Sequence, residues 1–98
     1  MMRVLIFGTF DHLHLGHRFV IEEAMRRGET FVVVARDETV QRIKGKPPHQ
    51  PQGERLQAIR DAYPPVHPIL GDPEDYLTPV REVHPDLILL GYDQKPPP

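Results

Sequence analysis

No cysteine occurs among the 98 residues, which excludes a disulfide, a thiolate nucleophile and a cysteine-based zinc site. Positive charge is not in excess either. Twelve Lys and Arg stand against 14 Asp and Glu, a net charge of −2. That argues against a general nucleic-acid binder or a protein of anionic membrane surfaces, since both normally carry a basic surplus. A small anionic ligand, which needs only a local positive patch, stays open. No apolar run approaches the ~20 residues of a membrane span, and the N-terminus has no signal-peptide pattern, so a cytoplasmic protein is expected. The two common glycine-rich phosphate loops, G-x-x-x-x-G-K-[ST] and G-x-G-x-x-G, are both missing. There is no internal repeat and no low-complexity tract. Proline, by contrast, is plentiful: 12 residues, clustered at 47–51, 64–68 and 96–98. The length suits one domain rather than two.

The stretch that stands out is Gly8-Thr9-Phe10-Asp11-His12-Leu13-His14-Leu15-Gly16-His17. It follows the apolar run Val4-Leu5-Ile6-Phe7 and precedes a segment with Val20, Ile21, Ala24 and Met25 on one helical side. It is therefore expected at a strand-to-helix turn. A helix N-terminus offers unpaired N–H groups and partial positive charge, which suit a phosphate. Gly8 is read as letting the chain leave the strand sharply, and Gly16 as admitting a ligand close to the backbone. His14 and His17, three apart, share a helical face, where imidazoles can supply donors to developing charge. A metal reading of that pair is weaker, because helical zinc pairs are usually four apart with a third ligand. His12 reads as a loop residue.

The rest alternates strand and helix. Strands are expected at 2–7, 30–35, 66–70 and 86–90, with Pro68 marking an edge. Helices are expected from about His14 to Arg27 with Gly28 as C-cap, from Glu38 to Ile43 with Asp37 as cap, and from Glu54 to Ala62 with Leu56, Ile59 and Ala62 inward. Asp72 to Val83 is helical by pattern, with Pro79 marking a fresh start and Thr78 its N-cap. Such alternation predicts an α/β fold with a parallel sheet and right-handed crossovers. Ligands of such sheets bind beyond the carboxyl ends of the strands, here at 8–14, 36–37, 71–72 and 91–94. Lys44 and Lys46 lie in a loop that could close on phosphates. Arg55 could reach a phosphate or make a surface ion pair. Asp93 could accept from a base amino group or form a turn, and Tyr92 could wall the base.

Gly8-Thr9-Phe10-Asp11 followed by His14-Leu15-Gly16-His17 resembles the signature of the cytidylyltransferase-like nucleotidyltransferases. The resemblance implies a Rossmann-like three-layer fold. It also implies transfer of a nucleotidyl group from a nucleoside triphosphate to a phosphate acceptor, with release of pyrophosphate and with Mg²⁺ carried by the triphosphate. His14 and His17 would stabilise the α-phosphate, with Lys46, and less so Lys44, neutralising the departing pyrophosphate. Gly8, Thr9, Phe10, Leu15, Gly16 and Asp93 would complete the nucleotide site, and Asp11 would hold the turn. Val32 to Val40, Lys44-Gly45-Lys46-Pro47, Glu54-Arg55-Leu56, Pro85-Asp86 and Gly91-Tyr92-Asp93-Gln94 are similar to archaeal-type FAD synthases, which transfer AMP from ATP to FMN. Glycerol-3-phosphate cytidylyltransferases, which use CTP, share the histidine motif but less of Ala35–Lys46. A nucleotide-binding module without turnover is the alternative of another class.

Relatives of this kind continue with another helix, a strand and a Ser/Thr-rich phosphate motif. The sequence ends at Pro98 without them, so the C-terminal part of the family fold is expected to be absent and one sheet edge open. An open edge invites pairing, which makes a homodimer an expectation.

Overall fold

The computed structural model describes residues 1–75 and 77–90. Eight elements follow one another: β1 (Arg3–Gly8), α1 (Leu15–Arg27), β2 (Glu29–Val34), α2 (Asp37–Lys44), α3 (Gln52–Ala62), β3 (His67–Leu70), α4 (Thr78–Val83) and β4 (Leu87–Leu90). The strands form one sheet in the order β3-β2-β1-β4. Every pairing is parallel, with Ile6 opposite Val32 and Leu89, and Val33 opposite Ile69. The chain is an α/β protein, as the alternation predicts.

Parallel strands need crossover helices, and those helices cover both faces, so the central strands are apolar throughout rather than alternating. In β1, Val4 and Ile6 face one core with Ile21 and Ala24 of α1 and Ile59 of α3. Leu5, between them, faces the other core with Val33 and Val83. Period-2 geometry thus splits one apolar run between two layers. Among the described strands β3 lies at an edge, where Pro68 needs no ladder N–H on its outer side. No described helix is long and apolar enough to cross a membrane.

Several boundaries differ from the expectations. Gly28 does follow α1, but its backbone is extended rather than left-handed, at φ 168. Its lack of a side chain matters because a Cβ there would lie 2.2 Å from the Met2 carbonyl oxygen. Asp37 is not the cap of α2; Arg36 holds that position and Asp37 begins the helix. The Asp37 N–H donates to Gln52 Oε1 at 2.8 Å, so a residue of α3 satisfies the start of α2. The helix expected over 72–83 is only Thr78–Val83, with Pro79 in its first turn and Leu77 rather than Thr78 at the cap. Upstream of it, the Asp72 carboxylate draws in the Glu74 and Asp75 N–H groups and makes a turn instead.

Candidate active site

The candidate site lies where β1 passes into α1, at the carboxyl end of a central strand. Between Gly8 and Leu15 the chain turns twice through left-handed backbone, at Phe10 (φ 55) and His12 (φ 54). Gly8 therefore is not where the chain departs from ordinary geometry. It is small because the Phe10 ring folds back on it: a Cβ at Gly8 would lie 2.8 Å from Phe10 Cε2. Phe10 is buried in the core on the α1 and α3 side, so at this turn its side chain serves packing.

His14 is the N-cap of α1, and the helix start is closed by imidazoles where Ser and Glu usually stand. The Gly16 N–H donates to His14 Nδ1 at 3.1 Å, and the His14 N–H donates to His17 Nδ1 at a longer 3.4 Å. Accepting at Nδ1 assigns the proton of each neutral ring to Nε2. The two rings stack with centroids 3.7 Å apart and planes 23° from parallel. Phe10 leans on His17 at 5.1 Å. His17 is buried and His14 exposed. The helix start thus orients two imidazoles, each with a donor hydrogen on Nε2, beside the N–H groups of the first turn. Leu15 is 84% exposed and lines a shallow groove along the outside of α1 with Gly16, Arg18, Phe19 and Glu22.

A second segment is fastened to this turn. Asp11 accepts from the His49 N–H at 2.8 Å and the Gln50 N–H at 2.9 Å, while Gln50 Oε1 accepts from the His12 N–H at 2.9 Å. The loop after α2, which carries Lys46, is thereby held beside residues 9–12. Lys44 and Lys46 are both exposed. Among the described residues no hydrogen bond joins either ammonium group to the histidine pair. Burial raises the Asp11 pKa, but the two backbone donors and the neighbouring His49 and His12 outweigh it and hold the carboxyl below the usual range. A carboxyl lowered on folding contributes stability in full above its unfolded value near pH 4 and loses it as pH falls through the folded value. Asp11→Asn is therefore expected to be less stable than the parent at pH 7, with the gap narrowing at pH 3. Urea midpoints at the two pH values test this, and an unchanged gap contradicts it.

Beneath both segments lies Arg55, fully buried in α3. Its Nε donates to the Gln50 carbonyl at 2.9 Å, Nη1 to the Thr9 carbonyl at 2.7 Å, and Nη2 to Asp37 Oδ1 at 2.7 Å. The expectation of a phosphate contact or a surface ion pair for Arg55 is corrected: three directed bonds and complete burial make it an internal tie. Its ion pair with Asp37 has one partner at 0% and the other at 44% side-chain exposure.

Residues 5–97 match the family described as Cytidylyltransferase-like. The chain belongs to the cytidylyltransferase-like family. It is 45% identical over 96 residues to the FAD synthase of Methanohalophilus mahii, covering 96% of this chain and 66% of that protein. It is 46% identical to the FAD synthase of Methanoculleus marisnigri, covering 96% and 62%, and 45% identical to that of Thermoplasma acidophilum, covering 97% and 67%. The chain spans roughly three fifths to two thirds of the curated relatives it matches. Among solved structures it is similar to a lipopolysaccharide core biosynthesis protein of Thermoplasma volcanium, with TM-score 0.88 and 45% identity over 99% of this chain and 80% of that one.

In this cytidylyltransferase-like chain, the structure gathers Gly8, Thr9, Phe10, His14, Leu15, Gly16 and His17 at one turn. Lys44 and Lys46 stand at the end of α2 and in the tethered loop. Asp93, with Gly91, Tyr92 and Gln94, lies outside the described residues. Sequence reasoning missed Gln50 and His49, whose only signal was a polar pair inside a proline-rich loop. It also missed that Arg55 shares the inward face of α3 with Ile59, four residues on.

Proposed function

We propose that the chain acts, as one nucleotidyltransferase domain, in transferring AMP from MgATP to the phosphate of FMN, giving FAD and pyrophosphate. The observation that carries this reading is the stacked His14–His17 pair, each ring tied by Nδ1 to the backbone at the start of α1. The similarity to proteins named FAD synthase supports the choice of substrates.

In the proposed step a phosphate oxygen of FMN attacks the α-phosphorus of ATP. The bond from that phosphorus to the oxygen bridging to the β-phosphate breaks, and pyrophosphate leaves with its electron pair. His14 and His17 would donate from Nε2 to the α-phosphate oxygens as charge builds there. Lys46, with Lys44, would neutralise the departing pyrophosphate. Thr9, Gly16 and Leu15 would border the nucleotide, and Asp93 would accept from the base amino group. The acceptor is already an anion, so no strong base and no covalent intermediate are needed. Mg²⁺ prefers oxygen ligands, and the His14–His17 pair presents imidazole nitrogens, so the ion fits as part of MgATP, held by the phosphates and water. The proposed setting is the cytoplasm. A homodimer is proposed through a sheet edge, and sedimentation showing only an 11.3 kDa species would remove it.

The test is pyrophosphate release with ATP or CTP, each offered FMN or glycerol 3-phosphate, in Mg²⁺. Release with ATP and FMN alone is expected. Release with CTP and glycerol 3-phosphate alone would move the chain to the cytidylyltransferase reading. Bound nucleotide with no release in any mixture would leave a binding module.

A further inference from the structure

We propose that Asp11, His12 and His49 form a binding site for a divalent first-row transition metal ion, Zn²⁺, Co²⁺ or Ni²⁺, that locks the lysine-bearing loop onto the β1–α1 turn. The three side chains come from two segments 37 residues apart and offer one ligand atom each, all within 4.8 Å of one another. His49 Nδ1 is already 3.8 Å from Asp11 Oδ2, and the His12 and His49 rings lie 5.6 Å apart at 42°. Ligands at about 2.0–2.2 Å from one ion stand roughly 3–3.5 Å from each other, so closing the set takes side-chain movement of about an ångström. Both histidines are exposed and can make it.

The backbone that carries the ligands is already fixed without an ion. Asp11 grips the His49 and Gln50 N–H groups, Gln50 grips the His12 N–H, and Arg55 holds the Gln50 and Thr9 carbonyls from below. Each Asp11 oxygen takes one backbone donor and keeps a lone pair for a metal. Those N–H donors orient the carboxylate as outer-shell partners do in metal sites.

The donor set names the metal class. Two imidazoles and one carboxylate suit Zn²⁺, Co²⁺ and Ni²⁺, whereas Mg²⁺ and Ca²⁺ seek oxygen. This site is thus chemically separate from the magnesium that would arrive on a nucleotide. It is also separate from His14 and His17, whose Nδ1 atoms are engaged at the helix start. With three protein ligands the ion keeps positions for water. Its effect is to cross-link the turn and the loop beyond the hydrogen bonds that tie their backbones.

The experiment is a Co²⁺ titration of the untagged, chelator-stripped chain without nucleotide, read by visible absorption, so its outcome is independent of any transferase activity. One Co²⁺ per chain is expected, undisturbed by excess Mg²⁺. His12→Asn and His49→Gln should each weaken binding at least about tenfold, while His84→Asn should not. Asn is chosen at position 12 because it tolerates the left-handed backbone there. Amide NMR should show paramagnetic broadening centred on residues 11–12 and 49–50. Absence of stoichiometric binding, binding indifferent to both variants, or broadening centred on His14 and His17 would each overturn the proposal.

Discussion

Replacing His17 with Ala is expected to lower kcat for the proposed AMP transfer by about 10²–10³-fold while leaving the Kd for ATP within about threefold. The reason is the division of labour between the two ring nitrogens. Nδ1 is spent on the His14 N–H, so in the proposed reaction Nε2 would carry the hydrogen that meets charge appearing on the α-phosphate only in the transition state. His17 is also buried against Phe10, so the Ala variant loses packing and a cap, worth about 1 kcal/mol. His17→Asn separates the two effects. Its oxygen can replace Nδ1 at the cap, but it has no donor at the Nε2 position, so stability should recover and kcat should not. His17→Gln, which reaches the Nε2 position with an amide N–H, should regain part of the rate. Steady-state kinetics beside equilibrium ATP binding decides the matter: equal losses in kcat and binding for His17→Ala would sink the transition-state role.

Arg55→Met is the second large effect, expected on stability: a loss of about 3 kcal/mol in urea unfolding, with an unchanged m value. Met keeps the stem and the apolar packing but removes every donor. The Thr9 and Gln50 carbonyls then lose their partner in a part-buried setting, and orphaned groups of this kind cost more than a made hydrogen bond gains. The figure sits at the low end for a broken buried ion pair because Asp37 is 44% exposed and can turn to water. Asp37→Asn is the converse case: it keeps an oxygen for Nη2 but leaves the fully buried guanidinium without its counter-charge, so it should cost more than about 1 kcal/mol. Native domains hold only about 5–15 kcal/mol in total, so Arg55→Met should also lower the melting temperature sharply. A change within about 0.5 kcal/mol of the parent would place Arg55 among ordinary surface residues. Arg55 touches no proposed substrate atom, and its part in the site is to hold the Thr9 turn and the Gln50 loop in one frame.

Much of the fold was legible in the sequence because it rests on local pattern. The runs Val4–Phe7 and Phe31–Val34 are apolar at consecutive positions, as the central strands of a sheet covered on both faces must be, Leu87–Leu90 shows the same continuous run although Ile88 is exposed, and the segments between them carry helical spacing. Pro79 in a first turn is a local steric matter, and the fresh start of α4 near it follows from that alone. The neighbourhood of His14 and His17 was legible too, since residues three apart on a helix must meet, and their rings stack. What failed were inferences that assigned a residue its usual local job. Asp37 reads as a cap but pairs with Arg55, and Gly8 reads as a sharp turn but makes room for the Phe10 ring.

The sequence by itself determined the order of strands and helices and the place of the histidine turn, because each depends on residues within one helical turn or one strand of each other, and the parallel class of the sheet followed from the alternation of those elements. Only the tertiary structure decided that Asp11 would grip His49 and Gln50, that Arg55 would turn inward to Thr9, and that Gln52 would close the start of α2. Those partners lie 15 to 46 residues apart along the chain. A hydrogen bond between distant segments leaves no period in the sequence, and it exists only once packing has brought its two ends within about 3 Å.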